Sequence, residues 1–107
     1  TVPAVSRKII EEVEACANAG DITTAIRLCQ QSLRNDGTQT DLLYTLAMLH
    51  QTTGDFKISQ KLLEKAVYLE PRHQGALLCL ALIAKQQGDT VAERRYRRSA
   101  SLAGTDL

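Results

Sequence analysis

The sequence predicts an all-α chain built from three stacked helical hairpins, and three observations carry that prediction. Gly20-Asp21, Gly54-Asp55 and Gly88-Asp89 recur at one constant interval, and self-similarity at such a fixed period marks a repeat architecture. Apolar residues recur at the helical period on both sides of these pairs, as in the i, i+3, i+4, i+7 pattern of Leu42, Leu43, Leu46, Ala47 and Leu49. The 107 residues contain two prolines, Pro3 and Pro71, so almost the whole chain is free of helix breakers. Aromatic residues make up 4% and Trp is absent, while Leu, Ala and Gln are abundant.

Each element follows in order. A first helix runs up to Gly20 and carries Glu11, Glu12 and Glu14, which read as a solvated acidic first turn favoured by the helix dipole. A second places Ile22, Ala25, Ile26, Cys29, Ser32 and Leu33 on one face, and a third spans Asp41 to His50. The fourth repeats the pattern of the second through Phe56, Ser59, Leu62, Leu63, Ala66, Val67 and Leu69. The fifth, Gly75 to Ala84, has the phase of the third, and a sixth follows Gly88-Asp89. Gly ends each first helix because it reaches the left-handed conformation without a Cβ clash. The Asp beside it is placed to accept from the free N–H groups opening the next helix. Glu70-Pro71 stops the fourth helix, since Pro biases its predecessor out of the α region.

These residues resemble the tetratricopeptide repeat family over nearly the whole chain. Its small residue in the first helix falls on Ala47 and Ala81, and its turn glycine on Gly20, Gly54 and Gly88. Its small residue early in the second helix falls on Ala25 and Ala92, with Ser59 in the middle repeat. The later small residue falls on Ser32, Ala66 and Ser99, the bulky one between on Cys29, Leu63 and Tyr96, and the closing proline on Pro71. The first repeat departs from the pattern at Glu12, Val13 and Gly37, and the last is one residue short between Gly88 and Ala92. End units pack on one side only, so such departures are expected there. The resemblance implies a right-handed superhelical array of three helix-turn-helix repeats with six main helices. Residues 1–107 would form a single domain, with repeats at about 6–39, 40–73 and 74–103.

Composition narrows the function. Thirteen Lys and Arg nearly cancel 12 Asp and Glu, and a net charge of +1 gives no whole-protein field for nucleic acid or an anionic membrane. No apolar run approaches the roughly 20 residues of a membrane span. Cys16, Cys29 and Cys79 form no C-x-x-C pair, and His50 and His73 are not spaced as ligands of one metal. A cytoplasmic protein with thiols acting as small apolar residues is expected, without disulfides or zinc. His50 is expected to pack between helices. No nucleotide-binding glycine loop, zincin motif or nucleophile elbow is present, so neither catalytic, cofactor-binding nor metal residues are expected in this chain.

The family's geometry places a partner in the groove lined by the first helix of each repeat. On this sequence that groove comprises Ile10 and Glu14, Tyr44, Met48 and Gln51, and Leu78, Leu82 and Lys85. Its apolar strip suits the apolar face of a partner helix or a neighbouring segment of the same protein. Tyr44, Met48, Leu78 and Leu82 are expected to keep substantial exposure, whereas Leu43, Leu46, Leu77 and Leu80 are expected to be almost fully buried. Members that bind chaperone C-termini use Lys, Arg and Asn where this chain has Ile10, Glu14, Thr45, Gly75 and Cys79, which argues against that ligand. Arg94, Arg95 and Arg98 form a second candidate patch, for an acidic partner.

The stretch from Glu64 to His73, with Ala76 to Ala84 and Gln87-Gly88-Asp89, is similar to the tetratricopeptide tail of bacterial chemotaxis-type receptor methyltransferases. That resemblance implies a parent enzyme using S-adenosylmethionine to methylate receptor glutamates, with this chain as a non-catalytic docking module for a chemoreceptor or the methyltransferase domain. A start at Thr1 without Met fits a piece of a longer chain. A stand-alone adaptor in pilus or secretion assembly, and a self-associating module with acidic and basic ends, are the alternatives.

Overall fold

The computed structural model describes residues 4–37 and 39–104, and among them the chain is all-helical. Three hairpins follow one another: α1 (Ala4–Asn18) with α2 (Ile22–Asp36), α3 (Thr40–Thr52) with α4 (Phe56–Leu69), and α5 (Gln74–Gln86) with α6 (Thr90–Gly104). Within the array α2 packs against α1 and α3, α4 against α3 and α5, and α6 against α5. The result is a three-repeat helical array.

The turns inside the hairpins are the same structure three times. Gly20, Gly54 and Gly88 have φ of 87°, 86° and 76°. The Asp that follows donates its backbone N–H five residues back, to Cys16, His50 or Ala84, at 2.8–2.9 Å. The Gly itself donates three residues back, so two orphan carbonyls of each first helix are satisfied by a Schellman pattern. Nothing lies within 4 Å of a Cβ added at these positions, so backbone conformation, not space, requires glycine. Gly37 ends α2 with φ 86° and supplies the stop that Pro71 supplies in the next repeat.

The side-chain cap holds in two turns of three. Asp21 accepts from Thr24 N–H at 3.1 Å and Asp89 from Ala92 N–H at 3.0 Å. Asp55, expected to cap α4, makes no such bond. Its Oδ2 instead accepts from Thr53 Oγ1 at 3.1 Å and lies 3.6 Å from His50 Nδ1, which turns the carboxylate back toward α3.

Two apolar clusters fill the spaces between hairpins. Val13, Ala25 and Cys29 meet Leu42, Leu46 and Leu49 between the first and second hairpins. Leu43, Ala47, Leu63 and Ala66 meet Ala76, Leu80 and Ile83 between the second and third. Leu33 and Leu62 touch both, which joins them into one core. Ala47 and Ala81 are completely buried, as close helix approach at those positions demands. Ser59 is also completely buried, and its hydroxyl finds no partner among the described residues. His50 is buried between helices as expected.

The shortened last repeat has a simple geometric form. Each second helix starts two residues after its Gly, but α2 and α4 bury positions five, nine and twelve after it, whereas α6 buries Ala92, four after Gly88, tucks in Tyr96, eight after, and rejoins the pattern at the buried Ala100, twelve after. Over its first two turns the inward face of α6 is therefore advanced by one residue, a turn of about 100° on a 3.6-residue helix.

Candidate functional site

The first helices carry the predicted groove, and the structure divides it. A cleft of about 240 Å³ opens between α1 and α3. Ile10, Val13, Glu14 and Ala17 form one wall; Tyr44, Thr45, Met48, Leu49 and Thr52 form the other. The two threonine hydroxyls are spent within α3, Thr45 Oγ1 donating to Asp41 O at 2.8 Å and Thr52 Oγ1 to Met48 O at 3.1 Å. The floor is thus apolar, and the exposed Glu14 carboxylate stands at the rim. A smaller depression of about 80 Å³ lies across α3 and α5, where Gln51 meets Phe56, Cys79, Leu82, Ile83 and Gln86. Leu78 and Lys85 line neither. The eight predicted groove residues therefore do not share one cleft: Ile10, Glu14, Tyr44 and Met48 share the first, and Gln51 and Leu82 the second.

Tyr44 and Met48 form the ridge between the two depressions. A Cβ added at Gly75 would stand 3.1 Å from the Tyr44 ring, so the missing side chain of α5 is what seats the ring there. The Tyr44 ring also packs against His73, with centroids 4.9 Å apart. Cys79 Sγ approaches Met48 Sδ at 3.9 Å. Burial raises the Cys79 thiol above its ordinary pKa, and it raises the Tyr44 phenol with a further contribution from Cys79. Both groups are therefore neutral near pH 7, an uncharged and polarisable support for the cleft.

These contacts decide which expectations of exposure hold. Leu43, Leu46, Leu77 and Leu80 are 2–5% exposed, as expected. Leu78 and Leu82 are 42% and 53% exposed, also as expected. Tyr44 and Met48 are half-buried, less exposed than Leu78 and Leu82. The difference has one cause. Leu78 and Leu82 lie one full repeat beyond Tyr44 and Met48; α5 lies across the earlier pair, and among the described residues no hairpin lies across the later one.

His73 was not singled out in the sequence. It caps α5, its Nδ1 accepting from Ala76 N–H at 3.0 Å, while Nε2 points at Asp41 Oδ1, 3.4 Å away on α3. An N-cap after a proline turn was legible as a position, but His is a rare cap and the tie to Asp41 reaches back to the preceding repeat.

The arginine patch is also rearranged. Arg94 and Arg98 are exposed and have no ion-pair partner among the described residues. Arg95 lies over the Tyr96 ring at 5.2 Å, and Arg97 Nε donates to Glu93 at 3.0 Å. Cys16, Cys29 and Cys79 are free, and burial pushes the Cys29 thiol up to about 11. Among the described residues no group of three His, Cys, Asp or Glu side chains is placed to hold a metal, and no helix is long and apolar enough to cross a membrane.

Stacked helical hairpins with a lined cleft between their first helices define a repeat scaffold, and the comparisons place relatives beside it. The chain is 33% identical over 99 residues to the "Probable biofilm formation methyltransferase WspC" of Pseudomonas putida, covering 92% of this chain and 23% of that protein. It is 32% identical over 91 residues to the protein of the same name in Pseudomonas aeruginosa, covering 85% of this chain and 22% of that protein. The chain thus spans less than a quarter of the length of the curated relatives it matches. No family model matches it.

Proposed function

We propose that this chain is a non-catalytic, tetratricopeptide-type docking module of a methyltransferase that methylates glutamates of chemotaxis-type receptors. One observation carries the reading: nearly the whole chain aligns with proteins named as methyltransferases, yet it accounts for less than a quarter of their length. In such a parent the transfer chemistry resides elsewhere in the protein. S-adenosylmethionine would supply the methyl group there, and this chain does not fit it. Its turn glycines end helices, their N–H groups bonded to Ala17, Gln51 and Lys85.

The docking role falls to the cleft between α1 and α3. An apolar floor flanked by a carboxylate suits an apolar side chain with a basic residue beside it, presented by a helix of a receptor or of the parent's own catalytic domain. The test uses the full reading frame. The parent protein should transfer the methyl group of radiolabelled S-adenosylmethionine to a receptor cytoplasmic segment, and the 107-residue chain alone should not. Tyr44→Ala with Met48→Ala should weaken docking by about 2 kcal/mol, roughly thirtyfold. A reading frame without a methyltransferase domain overturns the assignment, and a double variant that docks normally overturns the cleft.

A further inference from the structure

The net charge of +1 conceals a division by layer. Nine of the 13 Lys and Arg residues lie on the second helices, two on α2, three on α4 and four on α6, against Asp36, Glu64 and Glu93. The first helices hold three, Arg7, Lys8 and Lys85, against Glu11, Glu12, Glu14 and Asp41. The basic residues of α4 and α6 are also ordered. Along α4, Ile58, Lys61, Lys65 and Leu69 stand at i, i+3, i+7 and i+11; along α6, Val91, Arg94, Arg98 and Leu102 stand at the same spacing. All eight are exposed, the four apolar ones to 47%, 46%, 74% and 59% in that order. This spacing keeps each set on one stripe of its helix, about 16 Å long at 1.5 Å per residue.

The two stripes correspond because of the one-residue advance of α6. Their offset is one residue less than the interval between the turn glycines, and the inward residues of the first two turns, Ser59 and Leu63 against Ala92 and Tyr96, are offset in the same way. Both helices pack on α5, and each carries its stripe at the same place relative to its own inward residues. Lys61, Lys65, Arg94 and Arg98 have neither hydrogen-bond nor ion-pair partners among the described residues. At the corresponding positions α2 has Thr24, Arg27, Gln31 and Asn35, so the pattern is confined to the second and third hairpins.

We propose that the outer faces of α4 and α6 form a docking surface for an acidic amphipathic helix of a partner protein. Such a helix carries apolar, acidic, acidic and apolar residues at the same spacing, so its carboxylates meet the four cations and its apolar ends meet Ile58, Val91, Leu69 and Leu102. Charge complementarity selects this occupant. A bilayer is disfavoured because the cations lie in the middle of the apolar line, and inserting Ile58 and Leu69 would drag Lys61 and Lys65 in with them; interfacial helices keep the two on separate faces. A nucleic-acid strand would leave the apolar ends against phosphate, and no aromatic residue lies within the stripes to stack on a base. The surface lies on the second helices and is independent of the cleft on the first.

The probe is a fluorescein-labelled synthetic helix with Leu, Glu, Glu and Leu at i, i+3, i+7 and i+11 in an Ala/Gln background, measured by anisotropy with the 107-residue chain. Binding should weaken at least tenfold on raising salt from about 0.05 to 0.5 M. Lys61→Glu with Arg94→Glu should weaken it at least tenfold, and Ile58→Ser with Leu102→Ser at least threefold, while Tyr44→Ala with Met48→Ala leaves it unchanged. Circular dichroism establishes that each variant is folded; should the charge reversal unfold, Lys61→Ser with Arg94→Ser reads the same contact. The proposal is overturned by an unbound peptide, by either surface variant binding as tightly as the parent chain, or by tighter binding of oligo-dT or of vesicles of equimolar phosphatidylcholine and phosphatidylglycerol.

Discussion

Single atoms decide much of the stability of this array. Ser59 fills the place taken by alanine in the other hairpins, but its buried hydroxyl has no partner among the described residues. Ser59→Ala removes a desolvated polar group without opening a cavity, so it should raise stability by about 1 kcal/mol in urea denaturation. Ala81 is completely buried in the interior of α5. Ala81→Leu would overfill that space at a cost of about 1–3 kcal/mol, visible as a lower Tm; an unchanged Tm would show that α5 does not approach its neighbours closely there. Asp21 is fully exposed, and its carboxyl is held below the usual carboxylate range by the Thr24 side chain first and then by the Thr24 N–H. A depressed folded-state pKa stabilises above the unfolded value, and that contribution fades as pH falls through the folded value. An acid titration of Asp21→Asn should therefore lose stability less steeply below about pH 4 than the parent chain does.

At the scale of elements, the three turns share a backbone and differ in their caps. Asp89 and Asp21 each satisfy an N–H that opens the next helix, whereas Asp55 is directed to Thr53 and His50. Asp89→Ala should therefore cost about 1 kcal/mol, and Asp55→Ala less than half of that, measured side by side by chemical denaturation. Equal losses would mean that Asp55 caps α4 in solution. The advance of α6 shows how a helix can keep its start while turning its face: the cap anchors Thr90, and the placement of Ala92 and Tyr96 selects which side goes inward.

Taken whole, the molecule has two unlike ends. The positions of α1 that correspond to Leu42, Leu46 and Leu49 are Lys8, Glu12 and Ala15, all exposed, so the first hairpin is polar where the later ones are apolar. At the last hairpin Leu78 and Leu82 remain uncovered. Between them, Leu33 and Leu62 pack against both clusters, and α3 contributes Leu42 and Leu46 to one and Leu43 and Ala47 to the other. Leu42→Ala and Ile83→Val sit in different clusters and should add in a double variant to within about 0.5 kcal/mol. A larger departure would show that stability is shared across the array rather than passed between neighbouring hairpins.

The helices, their turns and their order were legible in the sequence because their causes are local. Glycine at positive φ, aspartate beside it and proline after Glu70 act within a few residues. The buried leucines were legible too, since a 3.6-residue period sorts residues by face before any neighbour is known. The tertiary structure decided what each face meets. Tyr44 and Met48 lie on the groove side as their phase requires, but the absent side chain of Gly75 and the thiol of Cys79 draw them half into the next hairpin. That contact divides the predicted groove in two. His73, which caps α5, is set beside Asp41 and Tyr44 of the preceding repeat, and Arg95 lies over the half-buried Tyr96 ring while Arg94 stays exposed. Periodicity specifies the direction a side chain takes from its helix, while the size of the residue opposite, tens of positions away, specifies how far it is buried.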